Sequence, residues 1–306
     1  MDIAAKRGQR SLEAILRQRL RVIPGAVSRN PVLVVVACIW LILLVAAIAP
    51  SLFTSTDPNS QDLFARFVPP IGFHGGSTRH WLGTDDLGRD EYTRIVYGAR
   101  VSVFVGFGAV ILGGSVGTIA GLLAGYFTRS AGAVVSGLID VQMAFPGLLL
   151  ALAVVIMLGH AGIGTLVIVL GATGWAGYAR VLRGLIIPMR EREFVLAAKA
   201  SGTRTRRILV THLLPNVMGT VSVLAVLDLG RAILSEASLS FLGLGIQSPG
   251  VSWGLMLSEG REYIFDAWWL VTLPGIAIAV AVLSANVMAV TLQQRIDPLL
   301  RTTRSL

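Results

Sequence analysis

The sequence EFVLAAKASGTRTRRILVTHLLPNV, residues 193–217, decides how this chain is organised because it separates two long apolar runs. It consists of a basic, helix-prone stretch, a glycine, a second basic stretch and a Leu-Pro step. Gly202 permits a sharp bend or a helix end. Leu214 is biased away from helix by the proline that follows it, whereas Pro215 suits the first turn of a new helix. The pattern predicts a short helix, a bend, a second short helix and then a membrane span.

This segment has two interpretations. Ala197 and Ala198 leave a thin helix surface that fits a groove in a soluble partner, and we expect these alanines and Gly202 to carry the docking. The alternative is a solvated basic loop that faces anionic lipid. The spacing of the residues favours docking.

The composition is that of a polytopic membrane protein. Of 306 residues, 54% are hydrophobic and 14% are charged, against about 25% charged residues in soluble domains. The net charge of +9 does not predict nucleic-acid binding, because the arginines cluster at the edges of apolar runs, where they orient helices in a bilayer. Cys38 is the only cysteine, so an intrachain disulfide is excluded.

Six predicted helices are long enough to cross a bilayer, which takes about 20 residues. The stretch 141–179 is too long for one helix and breaks at the glycine-rich residues 159–164, which predicts a tight hairpin of two helices. The predicted spans are 31–53, 101–127, two helices within 141–179, about 216–242 and about 267–292.

The positions of lysine and arginine predict the orientation. Most of the 26 basic residues lie in the N-terminal tail, in the loop before the fifth span and in the C-terminal tail, which places both termini in the cytoplasm. The N-terminal tail is not expected to be a signal peptide, because the apolar run behind it is too long. The predicted organisation is a cytoplasmic tail 1–30, a first transmembrane helix 31–53, an extracytoplasmic segment 54–100, a five-helix core 101–294 with the cytoplasmic loop 188–215 and the extracytoplasmic segment 243–266, and a cytoplasmic tail 295–306.

Glycines recur every four residues in the second span, at Gly113, Gly117, Gly121 and Gly125. They form a ribbon on one helix face, which lets another backbone approach closely. Packing inside the bundle is favoured over homodimerisation.

Three charged residues lie in the fifth span: Asp228, Arg231 and Glu236. Charges inside a span face protein or a water-filled cavity because lipid excludes them. Asp228 and Arg231 are three residues apart and can pair on one helix face. They form either the polar wall of a translocation path or a neutralised structural pair, with Glu236 near the wet outer end, and the sequence does not choose between the two.

The outer segment concentrates acidic residues at 80–91. Four carboxylates there are candidate calcium ligands: Asp85, Asp86, Asp90 and Glu91. The EF-hand spacing is absent, and we favour a capped helix start, with Thr84 or Asp85 at the N-cap and Arg89 paired back onto the turn.

No reaction chemistry is recognisable in the sequence. The four histidines form no metal spacing with each other or with Cys38, and no serine lies in a nucleophile elbow. A phosphate-binding P-loop needs Gly-Lys-Ser/Thr, and neither Lys6 nor Lys199 follows a glycine. We therefore expect a non-enzymatic chain without bound metal or cofactor, and a partner that supplies the energy.

Residues 193–217 resemble the EAA loop of ABC importer permeases, whose pattern is Glu-Ala-Ala, three residues, Gly, nine residues, Ile-x-Leu-Pro. Five residues match this pattern in register: Ala197, Ala198, Gly202, Leu214 and Pro215. Leu196 stands at the position of the glutamate and His212 at that of the isoleucine, while Glu193 lies near the first position without being equivalent to it.

Further stretches are similar to the C-type subunit of the dipeptide/oligopeptide/nickel permease family. They are HWLGTDDLGRD (80–90) with YGARVS (97–102), Asp140 before FPGLLLAL (145–152), EASLSFLGLG (236–245) with SWGLML (252–257), and DPLLR (297–301). The resemblance covers about residues 30–301. Asn286 marks a departure, because Gly-Asp often follows this asparagine in the family and Val287 follows it here.

The resemblance implies an all-α, type I ABC importer permease fold with six transmembrane helices and cytoplasmic termini, in a bacterial cell membrane. Its expected partners are a B-type permease that forms the other half of a heterodimeric pore, one or two P-loop ATPase subunits that bind ATP and Mg, and an extracytoplasmic substrate-binding protein. The implied mechanism is alternating access. Peptides are the expected cargo, with nickel chelates or glutathione as alternatives, and a stand-alone secondary transporter is the alternative from another class.

The resemblance also assigns roles to residues. Coupling to the ATPase is expected of Glu193, Ala197, Ala198, Gly202, Leu214 and Pro215. The fifth span, with Asp228 and Arg231, would line the pore, and Glu236 would lie near its outer mouth. Contact with the binding protein is expected of Asp85, Asp86, Arg89, Asp90 and Trp253.

Overall fold

The computed structural model describes residues 31–296, apart from residues 128, 130, 160 and 161, and they form an all-helical bundle. In this part of the chain there are two isolated β-bridges and no strand. The helices are α1 (Pro31–Ile48), α2 (Glu91–Tyr126), α3 (Ala131–Met143), α4 (Gly147–Leu158), α5 (Ile163–Met189), α6 (Glu193–Ala200), α7 (Thr205–Phe241), α8 (Trp253–Gly260) and α9 (Trp269–Ile296). The predicted tail 1–30, nearly all of the tail 295–306 and residues 160–161 of the predicted hairpin lie outside the described residues.

Five of the described helices are long and apolar enough to cross a membrane, namely α1, α2, α5, α7 and α9. The helices α3 and α4 pass the same test together, but they are bent by 90° at the break between them. The described chain therefore has five to six candidate spans, which confirms the predicted all-α membrane architecture.

The break between α3 and α4 lies within the predicted third span, where the sequence predicts a single helix from residue 141 to the turn at 159–164. A residue before proline is disfavoured in the α conformation, and Phe145 precedes Pro146 at this point. Pro146 itself has an extended ψ of 122° at the N-cap of α4. The predicted glycine-rich turn between α4 and α5 is present, because Gly159 ends α4 with a left-handed φ of 70°.

The helix α2 begins at Glu91, ten residues before the predicted start, and its N-cap is Asp90 rather than Thr84 or Asp85. Asp90 Oδ2 accepts hydrogen bonds from the backbone N–H and the hydroxyl of Thr93, at 2.9 and 2.8 Å. The hydropathy pattern misses these first turns because they carry charged residues that pack into the outer segment.

The helices α2 and α5 pack in parallel along the glycine ribbon. Gly113 lies against Gly171 and Gly125 lies against Ile186, so both helices advance in the same direction. A Cβ atom placed on Gly125 would lie 2.6 Å from the Cβ atom of Ile186. The ribbon therefore packs inside the chain, as predicted.

Because α2 and α5 are parallel, α3 and α4 must carry the chain back between them. Ile139 of α3 packs with Ala124 and Ala179, towards the ends of α2 and α5. Val155 of α4 belongs to the cluster of Val101, near the beginning of α2. The two halves of the bent pair thus lie at opposite levels of the bundle.

The bundle has two ends. We call the end that carries α6 the loop end, and the end that carries residues 54–90 and 243–266 the segment end. The helix α1 is joined to α2 by an edge-on contact between Trp40 and Phe107, with ring centroids 5.9 Å apart.

The helix α7 runs through Pro215 without the predicted break. Leu214 is helical, with φ −53° and ψ −49°, and its N–H donates to the carbonyl of Leu209, five residues back. The turns at Ile208–Leu213 are π-helical. This wider turn accommodates a proline, which cannot donate to the helix and would crowd a carbonyl of the preceding α-helical turn. The predicted second short helix is therefore the first part of α7.

The parallel contact predicts opposite effects for two Gly→Ala replacements. In an open helix position, alanine stabilises by about 0.5–1 kcal/mol. Gly184 on α5 has open space around it, whereas a Cβ atom at Gly117 would overlap the carbonyl oxygen of Trp175. We expect Gly117→Ala to destabilise by about 1–3 kcal/mol and Gly184→Ala to be neutral or stabilising. The thermal unfolding midpoint of each purified variant in detergent measures this, and equal midpoints would contradict the contact.

Candidate functional sites at the loop end and within the bundle

The helix α6 is a short helix held by one face and exposed on the other. Val195 is completely buried among residues of α5 and α7, including Leu182 and Leu213. Ala197 is exposed, and Leu196 on the same helix is 50% exposed. The helix therefore presents small and apolar side chains away from the bundle, in an anchored position.

Gly202 closes α6 with a Schellman motif. Its φ is 72°, in the left-handed region where glycine is favoured. The N–H of Gly202 donates to the carbonyl of Lys199, and the N–H of Thr203 donates to the carbonyl of Ala198, both at 3.0 Å. The bend predicted at this glycine is present, and it sets the angle between α6 and α7.

The loop end is also tied to the last turn of α2. Arg190 Nη1 donates to the carbonyl of Tyr126 at 3.2 Å. Lys199 Nζ lies 5.2 Å from the centroid of the Tyr126 ring, within reach of a cation–π interaction. A displacement of α6 would therefore act on α2, α5 and α7 together.

A cleft of about 490 Å³ lies where α3 and α4 bend, between this pair and the helices α5 and α7. The predicted pair of Asp228 and Arg231 lines it, with Arg231 Nε 2.6 Å from Asp228 Oδ1. Tyr178 donates its hydroxyl to Asp228 Oδ2 at 3.3 Å. The Asp228 side chain is 11% exposed, whereas that of Arg231 is 51% exposed. The carboxylate of the pair is thus enclosed and hydrogen-bonded, whereas the guanidinium is exposed in the cleft.

A second polar set at this cleft was not predicted as a site. Arg180 Nη2 lies 3.0 Å from Asp140 Oδ1, and both side chains are more than half exposed. Gln142 Nε2 donates to the backbone carbonyls of Ala172 and Thr173 at 3.1 and 2.8 Å, which ties the end of α3 to α5. The available signal was a lone aspartate within the apolar sequence of α3.

Glu236 does not face water within the described chain, which corrects the expectation that its side chain lies at a wet outer end. Its side chain is fully buried. Ser102 of α2 donates to Oε2 at 3.1 Å, and Ser240 donates to Oε1 at 2.8 Å. Because these hydroxyls satisfy the carboxyl group inside the bundle, Glu236 links α2 to α7 instead of facing water.

The acidic outer segment forms a compact ion-pair network instead of an exposed surface. Asp85 Oδ2 lies 2.5 Å from Arg89 Nε and 3.0 Å from Arg94 Nη1. Glu259 Oε2 lies 3.2 Å from Arg89 Nη2 and 2.5 Å from Arg94 Nη2. The predicted pairing of Arg89 back onto the turn is present, and the network fastens the outer segment to α2 and to the end of α8.

Three of the five residues predicted to contact a binding protein are buried within this chain, namely Asp85, Arg89 and Trp253, and the side chain of a fourth, Asp90, is 12% exposed. Asp85 and Arg89 lie in the network, and Asp90 caps α2 while its Oδ1 lies 2.9 Å from His80 Nδ1. Trp253 is 1% exposed and donates Nε1–H to the carbonyl of Ile95 at 2.9 Å. The polar groups of these four residues have partners inside the fold, which leaves few of them for contact with another protein. Asp86 keeps a partly exposed side chain.

These features define a class of protein. Long apolar helices form a membrane bundle, a polar cleft opens on one side of it, and an anchored short helix is exposed at one end. The sequence carries no P-loop of its own. This combination is that of a polytopic membrane protein with a polar cleft in its helical bundle.

Residues 117–302 match the family described as the binding-protein-dependent transport system inner membrane component, and the chain belongs to this family. The chain is 40% identical to the dipeptide transport system permease protein DppC of Alkalihalophilus pseudofirmus over 266 residues, 87% of this chain and 86% of that relative. It is 40% identical to the di/tripeptide transport system permease protein DppC of Pseudomonas aeruginosa over 245 residues, 80% of each chain.

The oligopeptide transport system permease protein OppC of Bacillus subtilis is 36% identical over 263 residues, 86% of this chain and 84% of that relative. These relatives confirm the resemblance inferred from the sequence to the C-type permeases.

The ion-pair network predicts a large loss of stability when one cation is removed. Arg94 is 2% exposed between two carboxylates, and removal of one partner of a buried pair costs about 3–5 kcal/mol. We expect Arg94→Met to lower the thermal unfolding midpoint clearly. Arg79→Met, at an exposed position of the same segment, should change stability by no more than about 0.5 kcal/mol. Equal midpoints for the two variants would contradict the network.

Proposed function

We propose that this chain is the C-type transmembrane subunit of an ATP-driven, binding-protein-dependent importer of di- and oligopeptides in a bacterial cell membrane. It forms one half of a heterodimeric pore with a B-type permease. One or two P-loop ATPase subunits bind ATP and Mg at the loop end, and a substrate-binding protein delivers peptide at the segment end. The observation that carries the proposal is the anchored, exposed helix α6, in a chain whose relatives are named as peptide permeases.

The proposed topology has six crossings and both termini in the cytoplasm. Parallel packing of α2 and α5 supports the count, since α3 and α4 must together return the chain across the bilayer. The arginines of the loop end support the orientation.

In the proposed mechanism, α6 acts as the coupling helix. Closure of the ATPase subunits on nucleotide pushes on α6, which is fastened to the ends of α2, α5 and α7 through Val195 and Tyr126. The helices then tilt between an inward-open and an outward-open state, and nucleotide shifts the balance between them. Leu196 replaces the usual glutamate with an exposed apolar side chain, so we expect an apolar contact with the ATPase at this point.

The cleft is the proposed wall of the translocation path. Arg231 lies ten residues before the end of α7, about 15 Å along the helix axis and close to the middle of a hydrocarbon core of about 30 Å. An arginine that is half exposed at this depth cannot face lipid without a large cost. We therefore place this face of the chain towards a water-filled path between the two permeases.

We assign the proposed contact with the binding protein to other residues at the segment end. Asp86 stays a candidate because its side chain is partly exposed. Phe64 and Phe265 are almost fully exposed on the two outer segments, and aromatic side chains in such positions are typical of protein interfaces.

The coupling role of α6 predicts a transport defect without an assembly defect. Ala197 is exposed, so Ala197→Arg should fold and insert normally but block the groove contact with the ATPase. We expect ATP-dependent uptake in proteoliposomes to fall at least tenfold. Thr205→Arg adds the same charge at an exposed position outside α6 and should keep most of the uptake. Normal uptake by the Ala197 variant would overturn the docking role.

The importer assignment predicts what is isolated with this chain. Purification from its native membrane in mild detergent should recover a second permease, P-loop ATPases and a binding protein whose bound ligand is a peptide. A bound nickel chelate or glutathione would change the cargo and keep the machinery. Uptake by the chain alone in ATP-free liposomes, driven by a proton gradient, would replace the importer with a secondary transporter.

A further inference from the structure

We propose that Arg231 binds the terminal carboxylate of the peptide cargo during its passage through the cleft. This inference rests on the proposed peptide import and assigns a ligand chemistry to one residue of the path. The ligand is a carboxylate group, and the binding atoms are the two Nη atoms of the guanidinium.

Asp228 holds the guanidinium of Arg231 through Nε, the nitrogen next to the aliphatic part of the side chain. Arg231 Nε is 2.6 Å from Asp228 Oδ1, and Tyr178 donates its hydroxyl to the other carboxylate oxygen at 3.3 Å. Asp228 is thus fixed from α5 as well as from its own helix. In the described part of the chain, Arg231 forms hydrogen bonds through Nε alone, so its Nη atoms keep their donors for a ligand.

Two glycines make room for the guanidinium in the cleft. Gly174 of α5 lies so close that a Cβ atom there would be 2.7 Å from Arg231 Nη2, and a Cβ atom at Gly147 of α4 would be 3.7 Å from Nη1. Both glycines line the cleft. Any larger residue at position 174 would displace the guanidinium, so the local sequence fits this side chain in this place.

The chemistry of this arrangement selects a carboxylate. A guanidinium presents paired N–H donors in a planar fork, which matches the two oxygens of a carboxylate. Asp228 balances the charge of the arginine, so the site attracts a passing anion without holding it as a bare cation would. Weak, geometrically specific binding suits a transport path, because the cargo must also leave.

The test compares a dipeptide with its C-terminal amide. Uptake of both is measured in proteoliposomes that contain the complete importer, with wild-type chain, Arg231→Gln and Arg231→Lys. The preference of the binding protein is the same in every sample, so it cancels when the acid-to-amide uptake ratio is compared between variants. We expect Arg231→Gln to lower the acid-to-amide uptake ratio about tenfold, as for loss of a charge-assisted hydrogen bond. Arg231→Lys, which keeps the charge but loses the fork, should give an intermediate ratio.

An unchanged ratio in Arg231→Gln would overturn the proposal, because a purely structural pair lowers uptake of both substrates equally.

A second measurement uses the free dipeptide alone with Asp228→Asn, which frees the guanidinium from its partner. This variant should bind the cargo more tightly and release it more slowly, so that both the KM and the maximal rate fall. Loss of rate with unchanged KM would contradict carboxylate binding. Absence of peptide uptake by the wild-type complex would instead refute the importer assignment itself.

Discussion

The rest of the structure depends on the contact between α2 and α5, where backbone lies against backbone because glycines leave no side chain between them. Two helices this close form one rigid unit, and their parallel direction fixes what the intervening chain must do. The helices α3 and α4 have to return it to the segment end. They do so in two pieces at 90°, because Pro146 prevents one continuous helix. The cleft lies at this bend, where Gly147 at the start of α4 lines it together with Gly174 and Arg231.

The polar groups of the chain fall into two kinds with different mechanical effects. At the segment end, Arg94 and Glu259 belong to a network that is mostly enclosed, and Glu236 is satisfied by serine hydroxyls inside the bundle. Removal of one member from such a set leaves a buried group without its partner, so these sets stiffen the fold. In the cleft, Arg231 and Arg180 are about half exposed and use only part of their hydrogen-bonding capacity on their partners. Groups of this second kind keep guanidinium donors on the cleft side that their carboxylate partners do not use.

The sequence patterns correctly predicted those features of the fold that depend on residues close together in the chain. The long helices follow from apolar runs, a close helix–helix contact inside the bundle from the glycine spacing, and the exposed α6 and its bend from the alanines and Gly202. The glycine spacing did not identify α5 as the partner of α2. The sequence patterns could not predict that Asp85 and Arg89 are buried, because this burial depends on Glu259, which lies 170 residues from Arg89 in the chain. The same limit applies to Ser102, which bonds Glu236 across 134 residues, and to Asp140 and Arg180, which are 40 residues apart. The π-helical turn before Pro215 was missed for a different reason, since rules for proline describe α-helices and not a widened turn.

The proposed coupling path follows from how these elements are joined. Val195 anchors α6 among residues of α5 and α7, and Lys199 contacts the last turn of α2, so a push on α6 reaches three helices at once. The helices α2 and α5 move as a unit because of the glycine contact. The helix α7 is joined to α5 by the hydrogen bond from Tyr178 to Asp228, which at 3.3 Å is long for a bond between oxygens. The contact between α2 and α5 is therefore tight, whereas the hydrogen bond between α5 and α7 is loose. A tilt started at the loop end should keep α2 and α5 together, while Ser102 and Glu236 fasten α7 to α2 nearer the segment end. Between these points the tilt should change the distance between α5 and α7 at Tyr178 and Asp228, which sets how Arg231 faces the path.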